Sequence, residues 1–86
     1  METKSKLLQK MLERGFGLYS INELLSLKIH EDSIELCVAE LPGNPGPVYL
    51  PIYSRNIAGI SNEIYDFIGQ YMTIYLAKIQ NDVLNL

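Results

Sequence analysis

The sequence contains almost none of the residues from which small domains build internal cross-links. Of its 86 residues, one is cysteine (Cys37), one is histidine (His30) and none is tryptophan. A lone cysteine excludes an intramolecular disulfide. One cysteine and one histidine are also too few ligands for a zinc site built from these two residue types. We therefore expect no metal and no other cofactor. Because so short a chain buries only roughly 60–65% of the surface that its unfolded form exposes, self-association is the stabilising device left open.

A secretion signal and a membrane span are also missing from the sequence. Charged residues interleave with leucines over residues 1–14, where a secretion signal would have a basic end followed by an apolar run. The longest apolar stretches are a few residues, far short of the roughly 20 that cross a bilayer. We expect a cytoplasmic protein without a membrane partner, and the lone cysteine fits a reducing compartment.

The chain is short of positive charge. Seven Lys and Arg residues stand against ten Asp and Glu residues, for a net charge of −3. Binding to nucleic acid needs a basic face, because phosphate contacts supply most of the non-specific affinity. We therefore expect no nucleic-acid partner, although residues 1–14 carry four bases against two acids.

The hydrophobic content and its spacing predict one folded domain over residues 1–86. Hydrophobic residues make up 48% of the chain, which is too many for a disordered segment, and the chain is too short for a second core. Residues 3–14 have the period of an amphipathic helix. Gly15 and Gly17 indicate its end, because glycine readily adopts the left-handed conformation that ends helices.

Two stretches of strict alternation predict a β-hairpin. Apolar residues alternate with other residues over 25–30 and again over 34–39. The short polar segment 31–33 joins the two stretches and predicts a turn.

The segments on either side of this hairpin are less regular. After a loop rich in proline and glycine, residues 48–53 alternate again and predict a third strand, in which Pro51 favours an edge position. Residues 18–24 stay open between helix and strand. Ser20 and Glu23 have the spacing of a helix capping box, whereas strand periodicity starts at Leu25.

The last third of the chain predicts one long helix. Apolar residues recur at spacings of one, three and four from Ser54 to about Asp82. Gly59 argues that the regular helix starts near Ser61, which would be a good N-cap. Together the elements predict an α+β fold: an N-terminal helix, a three-stranded antiparallel meander and a long C-terminal helix packed on the sheet.

The apolar surface of this predicted helix is wider than one core requires. At about 100° per residue its apolar arc spans roughly 200°, whereas a surface helix needs a stripe a little over 100° wide. Either the helix is sandwiched between the sheet and the N-terminal helix, or a second subunit covers the remainder. We expect a homodimer in which Tyr65, Met72 and Leu76 make the contact, because tyrosine and methionine are favoured in interface cores.

Acidic residues gather at the predicted hairpin, with Glu31 and Asp32 in its turn and Glu35 beside it. They lack the glycine-punctuated spacing of a calcium loop. They are either a solvated edge or a patch that docks a basic protein surface, since complementary charge raises association rates. We include all three among the predicted partner-binding residues.

The sequence contains no recognisable catalytic constellation. His30 and Cys37 could form a nucleophile and its base, but a small hairpin offers no pocket that would exclude water or hold an oxyanion. We therefore expect no enzyme. Tyr49 and Tyr53 share one strand face and are the predicted ligand-binding residues, because aromatic faces stack on bases and cations.

These observations predict a small acidic regulator or inhibitor that acts by protein–protein interaction as a homodimer. The alternative is a ligand-sequestering module whose tyrosine-lined pockets form between subunits.

Overall fold

A four-stranded antiparallel sheet with a helix before and after it forms the protein. The computed structural model describes residues 4–41, 43–71, 82–84 and 86. Its elements are α1 (Lys4–Arg14), β1 (Gly17–Ser20), β2 (Leu25–Ile29), β3 (Ile34–Val38), β4 (Val48–Ile52) and α2 (Ile57–Tyr71). The strands lie in the order β1-β2-β3-β4, each antiparallel to its neighbour. The predicted α+β class is confirmed, but the sheet has four strands instead of three.

The two glycines after α1 end the helix and let the chain turn into the sheet. Gly15 has φ 80° and donates its N–H to the carbonyl oxygen of Met11 at 2.9 Å, which closes the helix as predicted. At Gly17 a Cβ atom would lie 2.9 Å from Met11 Cγ. The φ of 150° at Gly17 also favours glycine, so a larger residue here would strain the backbone and displace the Met11 side chain.

The segment left open by the sequence forms β1 and a tight turn. The side chain of Asn22 accepts the N–H groups of Leu24 and Leu25, both at 2.8 Å. Ser20 does not cap a helix, because it lies in β1 and its hydroxyl donates to the carbonyl oxygen of Asn22 at 3.4 Å. An asparagine side chain that accepts hydrogen bonds from the backbone N–H groups just after it competes with helix formation. Here these bonds form the turn that leads into β2.

The predicted hairpin and third strand are present. The N–H of His30 donates to the carbonyl oxygen of Ser33 at 2.8 Å and closes the turn between β2 and β3. Every alternate residue of these two strands is buried, as period-two patterning requires. β4 is an edge strand and contains Pro51, in agreement with the prediction.

Helix α2 begins four residues earlier than predicted. Asn56 is its N-cap: the side-chain oxygen accepts the N–H of Gly59 at 2.7 Å, and the carbonyl oxygen accepts the N–H of Ile60 at 2.9 Å. The presence of Gly59 in the first turn has a steric reason. A Cβ atom there would lie 2.5 Å from Ser54 Oγ.

Of the helix predicted from Ser54 to about Asp82, the structure describes Ile57–Tyr71 as α2, and Val83 lies back against the first part of it. The Ser61 hydroxyl donates to the carbonyl oxygen of Val83 at 2.8 Å, although the two residues are 22 positions apart. A straight helix would separate them by about 33 Å. Met72 and Leu76, two of the residues predicted to contact a second subunit, lie outside the described residues.

The core lies on one face of the sheet. The inward residues of the strands pack against Leu8 of α1 and against Ile60, Ile64 and Ile68 of α2. Val83 and Leu86 are buried in the same cluster. The architecture is therefore two layers, with helices against what we call the inner face of the sheet. Within the described ranges, no helix combines the length and the apolar character needed to cross a bilayer.

Candidate protein-interaction surface

The opposite side of the sheet, here called the outer face, carries no helix among the described residues. Strand register arranges its side chains in two rows. The first row is Leu18, Lys28, Glu35 and Pro51, and the second is Ser20, Ser26, Cys37 and Tyr49. Large apolar side chains stand at its margins, where Leu18 is 68% exposed and Tyr49 is 57% exposed.

The centre of the outer face is polar and balanced in charge. Lys28 of β2 lies directly opposite Glu35 of β3. Directly opposed residues of unlike charge stabilise an antiparallel pair by roughly 0.2–1 kcal/mol. Glu35, a predicted partner-binding residue, is half-buried in this row, which places it on the outer face and away from the exposed turn.

The turn between β2 and β3 forms an acidic end of the sheet. Glu31 and Asp32 are exposed there. The Arg55 guanidinium donates to the carbonyl oxygen of His30 at 3.2 Å and so lies at the same end. A shallow depression of about 240 Å³ is lined by Asp32, Tyr53 and Arg55 among others. The structure thus brings together Asp32 and Tyr53, to which the sequence assigned different roles.

Glu63 of α2 fixes the segment that follows β4. Its two carboxylate oxygens accept the N–H of Tyr53 at 3.0 Å and the N–H of Ser54 at 2.7 Å. Burial acts to raise the pKa of Glu63, but the hydrogen bonds from Tyr53 and Ser54 outweigh it and lower the pKa below its usual value. Sequence reasoning missed this residue, because a glutamate on a helix ten positions from its partner leaves no local signature.

A second depression, here called the β1 cleft, lies where β1 turns into β2. It has a volume of about 370 Å³ and is lined by Leu18, Ser20, Leu24, Ser26 and Cys37 among others. The thiol of Cys37 is free and half-buried. Neither of the two tyrosines predicted to bind a ligand contributes to this cleft.

Tyr49 and Tyr53 are both exposed but lie apart. Tyr49 is level with Cys37 in the ladder, whereas Tyr53 follows β4 and is 83% exposed at the acidic end. Four residues of extended chain separate them by about 13 Å. A ligand site that contains both tyrosines stays a prediction.

The helix residues predicted to contact a second subunit are described only in part. Tyr65 is half-buried and packs against the core cluster, while Met72 and Leu76 lie outside the described residues. Further along α2, Tyr71 is 56% exposed, and its ring centroid lies 5.1 Å from that of Phe67. The helix-mediated dimer stays a prediction.

His30 and Cys37 do not form a pair. Cys37 is level with Ser26 in the ladder, four residues along β2 from His30. The corresponding distance is about 13 Å. Over the described ranges, no cluster of three or more His, Cys, Asp or Glu residues is arranged to hold a metal ion.

Comparison with protein families, with curated proteins and with solved structures finds no match to this chain.

Proposed function

We propose that this protein is a small acidic regulator or inhibitor that acts as a homodimer and binds a target protein through its outer face and the adjoining acidic turn. The observation that carries the proposal is the outer face itself. An antiparallel sheet with one solvated face usually presents polar side chains there. Here Leu18, Tyr49 and Pro51 stand on that face, and the first two are largely exposed.

The chemistry of this surface favours a target with a basic patch beside an apolar pocket. Tyr49 and Tyr53 offer large amphipathic side chains of the kind that anchor interfaces. Glu31 and Asp32 extend from the neighbouring turn, in a chain of net charge −3. Acidic residues at the rim of an interface act mainly on the association rate, which salt then reduces.

Affinity capture from the native host with matched variants tests the proposal. Wild-type protein is expected to retain one host protein at near-stoichiometric amounts, and Tyr49→Lys/Tyr53→Lys is expected to lose it. Tyr71→Lys is the control, because Tyr71 is similarly exposed but lies on α2. Failure to recover any stoichiometric partner, or equal loss with Tyr71→Lys, contradicts target binding by the outer face.

A ligand-sequestering module is the second candidate, and the β1 cleft is the observation that favours it. Its volume of about 370 Å³ falls in the range of small-molecule sites. A thermal-shift panel of nucleotides and metabolites tests this function. A ligand at about 100 times its dissociation constant stabilises the fold by roughly 2.7 kcal/mol. No shift with any member of the panel removes the support for this candidate.

A further inference from the structure

The two edge strands of the sheet present different backbone groups to solvent. In an antiparallel ladder, residues alternate between pointing their N–H and C=O groups at one neighbouring strand and at the other. The N–H of Ile21 donates to the carbonyl oxygen of Leu25, and the N–H of Ala39 donates to that of Leu24. With the strand register, these bonds show which residues face outward at each edge. At β1 the N–H and C=O groups of Leu18 and Ser20 point away from the sheet. At β4 the backbone groups of Tyr49 and Pro51 do so.

The β4 edge is blocked along most of its length. Pro51 has no N–H to donate, and neither does Pro47 just before the strand. The next outward N–H, that of Tyr53, is already bound by Glu63. Tyr49 is left as the one outward donor of this edge between residues 47 and 53. An added strand would find the carbonyl oxygens of this edge but only one N–H donor between residues 47 and 53.

The β1 edge has none of these protections. The segment 15–22 contains no proline and no charged residue, and charges and prolines are what natural edges use against strand addition. The exposed side chains of Phe16 and Leu18, at 61% and 68%, flank this edge. Among the described residues, no hydrogen bond occupies the outward N–H and C=O groups of Leu18.

We propose that β1 pairs antiparallel with β1 of a second copy, so that two four-stranded sheets become one sheet of eight strands. Leu18 lies at the twofold axis, opposite Leu18 of the partner subunit, and the two residues exchange N–H···O=C bonds. In this register Phe16 lies opposite Ser20 of the partner subunit, beside the partner's β1 cleft. The inference rests on the homodimer in the proposed function and specifies where its contact lies.

Self-pairing is favoured over an unrelated peptide because the edge is complementary to itself. The twofold axis uses each contact twice, so that an exposed Phe16 meets a cleft at both ends of the pairing. The uncharged segment 15–22 brings no like charges into opposition. The pairing also leaves Tyr49 and Tyr53 at the far edges of the joined sheet, and is therefore incompatible with a tyrosine-lined pocket between subunits.

Solution mass with matched lysine variants is the first test. Wild-type protein is expected to run at twice 9.8 kDa by light scattering over the micromolar range. Leu18→Lys places two ammonium groups at the axis and is expected to give the monomer mass. Tyr49→Lys, on the blocked edge of the same face, is expected to keep the dimer mass. A monomeric wild-type protein overturns the inference, and so does a dimer that Leu18→Lys leaves intact.

Disulfide trapping tests the register itself. Cα atoms of a hydrogen-bonded antiparallel pair are about 5.5 Å apart, within the range that a disulfide spans. In a Cys37→Ser background, Leu18→Cys is expected to form a covalent dimer on mild oxidation, while Tyr49→Cys is expected to form no disulfide between subunits. A dimeric Cys37→Ser protein in which Leu18→Cys does not cross-link overturns the β1 contact.

The amide of Leu18 gives a readout that needs no substitution. Its hydrogen exchange is expected to slow as protein concentration rises, while that of Tyr49 stays fast. Exchange at Leu18 that does not change with concentration overturns the inference. Failure of the intact wild-type dimer to capture any target contradicts the proposed target binding instead, so the two failures are distinguishable.

Discussion

The hydroxyl of Ser61, in the first part of α2, donates a 2.8 Å hydrogen bond to the carbonyl oxygen of Val83. This bond holds the end of the chain, in which Val83 and Leu86 are buried, against the helix. Ser61→Ala leaves the partly buried carbonyl without this partner and is expected to cost about 1 kcal/mol. The midpoint of thermal unfolding should fall by about 4–8 °C. Ser33→Ala, at an exposed turn position, is the control and should shift the midpoint little.

Glu63 is expected to make stability depend on pH in the acid range. Its pKa is lowered in the folded protein, so the unfolded chain binds its proton more readily. The stabilisation is present above the unfolded pKa and is lost as pH falls through the folded pKa. Denaturant unfolding between neutral and acid pH should show this loss in the wild-type protein and a weaker one in Glu63→Gln. Asp66→Asn controls for removing one negative charge from α2, and an equal weakening in that variant contradicts the assignment to Glu63.

Tyr19 is expected to lower the stability of the fold at alkaline pH. Its side chain is 2% exposed, its hydroxyl donates to the carbonyl oxygen of Leu86 at 3.4 Å, and burial raises its pKa above 10.0. Stability from the neutral phenol is complete below the unfolded pKa and is lost as pH rises through the folded pKa. Tyr19→Phe should flatten the alkaline decline in denaturant midpoints. A decline of the same slope in both proteins would assign it to another group.

The two glycines of α2 should respond oppositely to alanine. Nothing lies within 4 Å of a Cβ atom at Gly69, so Gly69→Ala is expected to stabilise the fold by up to about 1 kcal/mol through helix propensity. At Gly59 the new Cβ would lie 2.5 Å from Ser54 Oγ and 2.6 Å from Ser54 Cβ. Gly59→Ala should therefore destabilise the fold despite the same gain in propensity. Free energies of unfolding from urea titration compare the two variants, and a stabilising Gly59→Ala contradicts the close packing.

Periodicity located the elements whose residues alternate strictly, and it failed where one residue breaks the pattern. Strands β2, β3 and β4 were predicted because each places an apolar residue at every second position. Strand β1 could not be predicted, because Ser20 and Glu23 have the spacing of a helix capping box and the inward residue Gly17 adds nothing to an apolar pattern. The start of α2 was placed too late because the steric reason for Gly59 lies in Ser54, outside the helix.

The long-range contacts could not be predicted from local spacing. The apolar repeat continues in sequence beyond Tyr71, and nothing in it indicates that Val83 lies beside Ser61. The same holds for the candidate surface. Alternation placed Tyr49 and Tyr53 on one strand face. Leu18 and the β1 cleft could not be found in that way, because they require the pairing of β1 with β2, and Glu63 requires the return of α2 to the end of β4.

The unequal edges also determine how far a sheet of this kind can polymerise. Fibril growth by strand addition needs two free edges on every molecule, one to attach by and one to receive the next molecule. Pro51 and the Glu63 carboxylate remove most of the N–H donors from one of the two in each chain. The proposed pairing through β1 would occupy the other, so association at high concentration is expected to stop at a pair of chains and not continue into fibres.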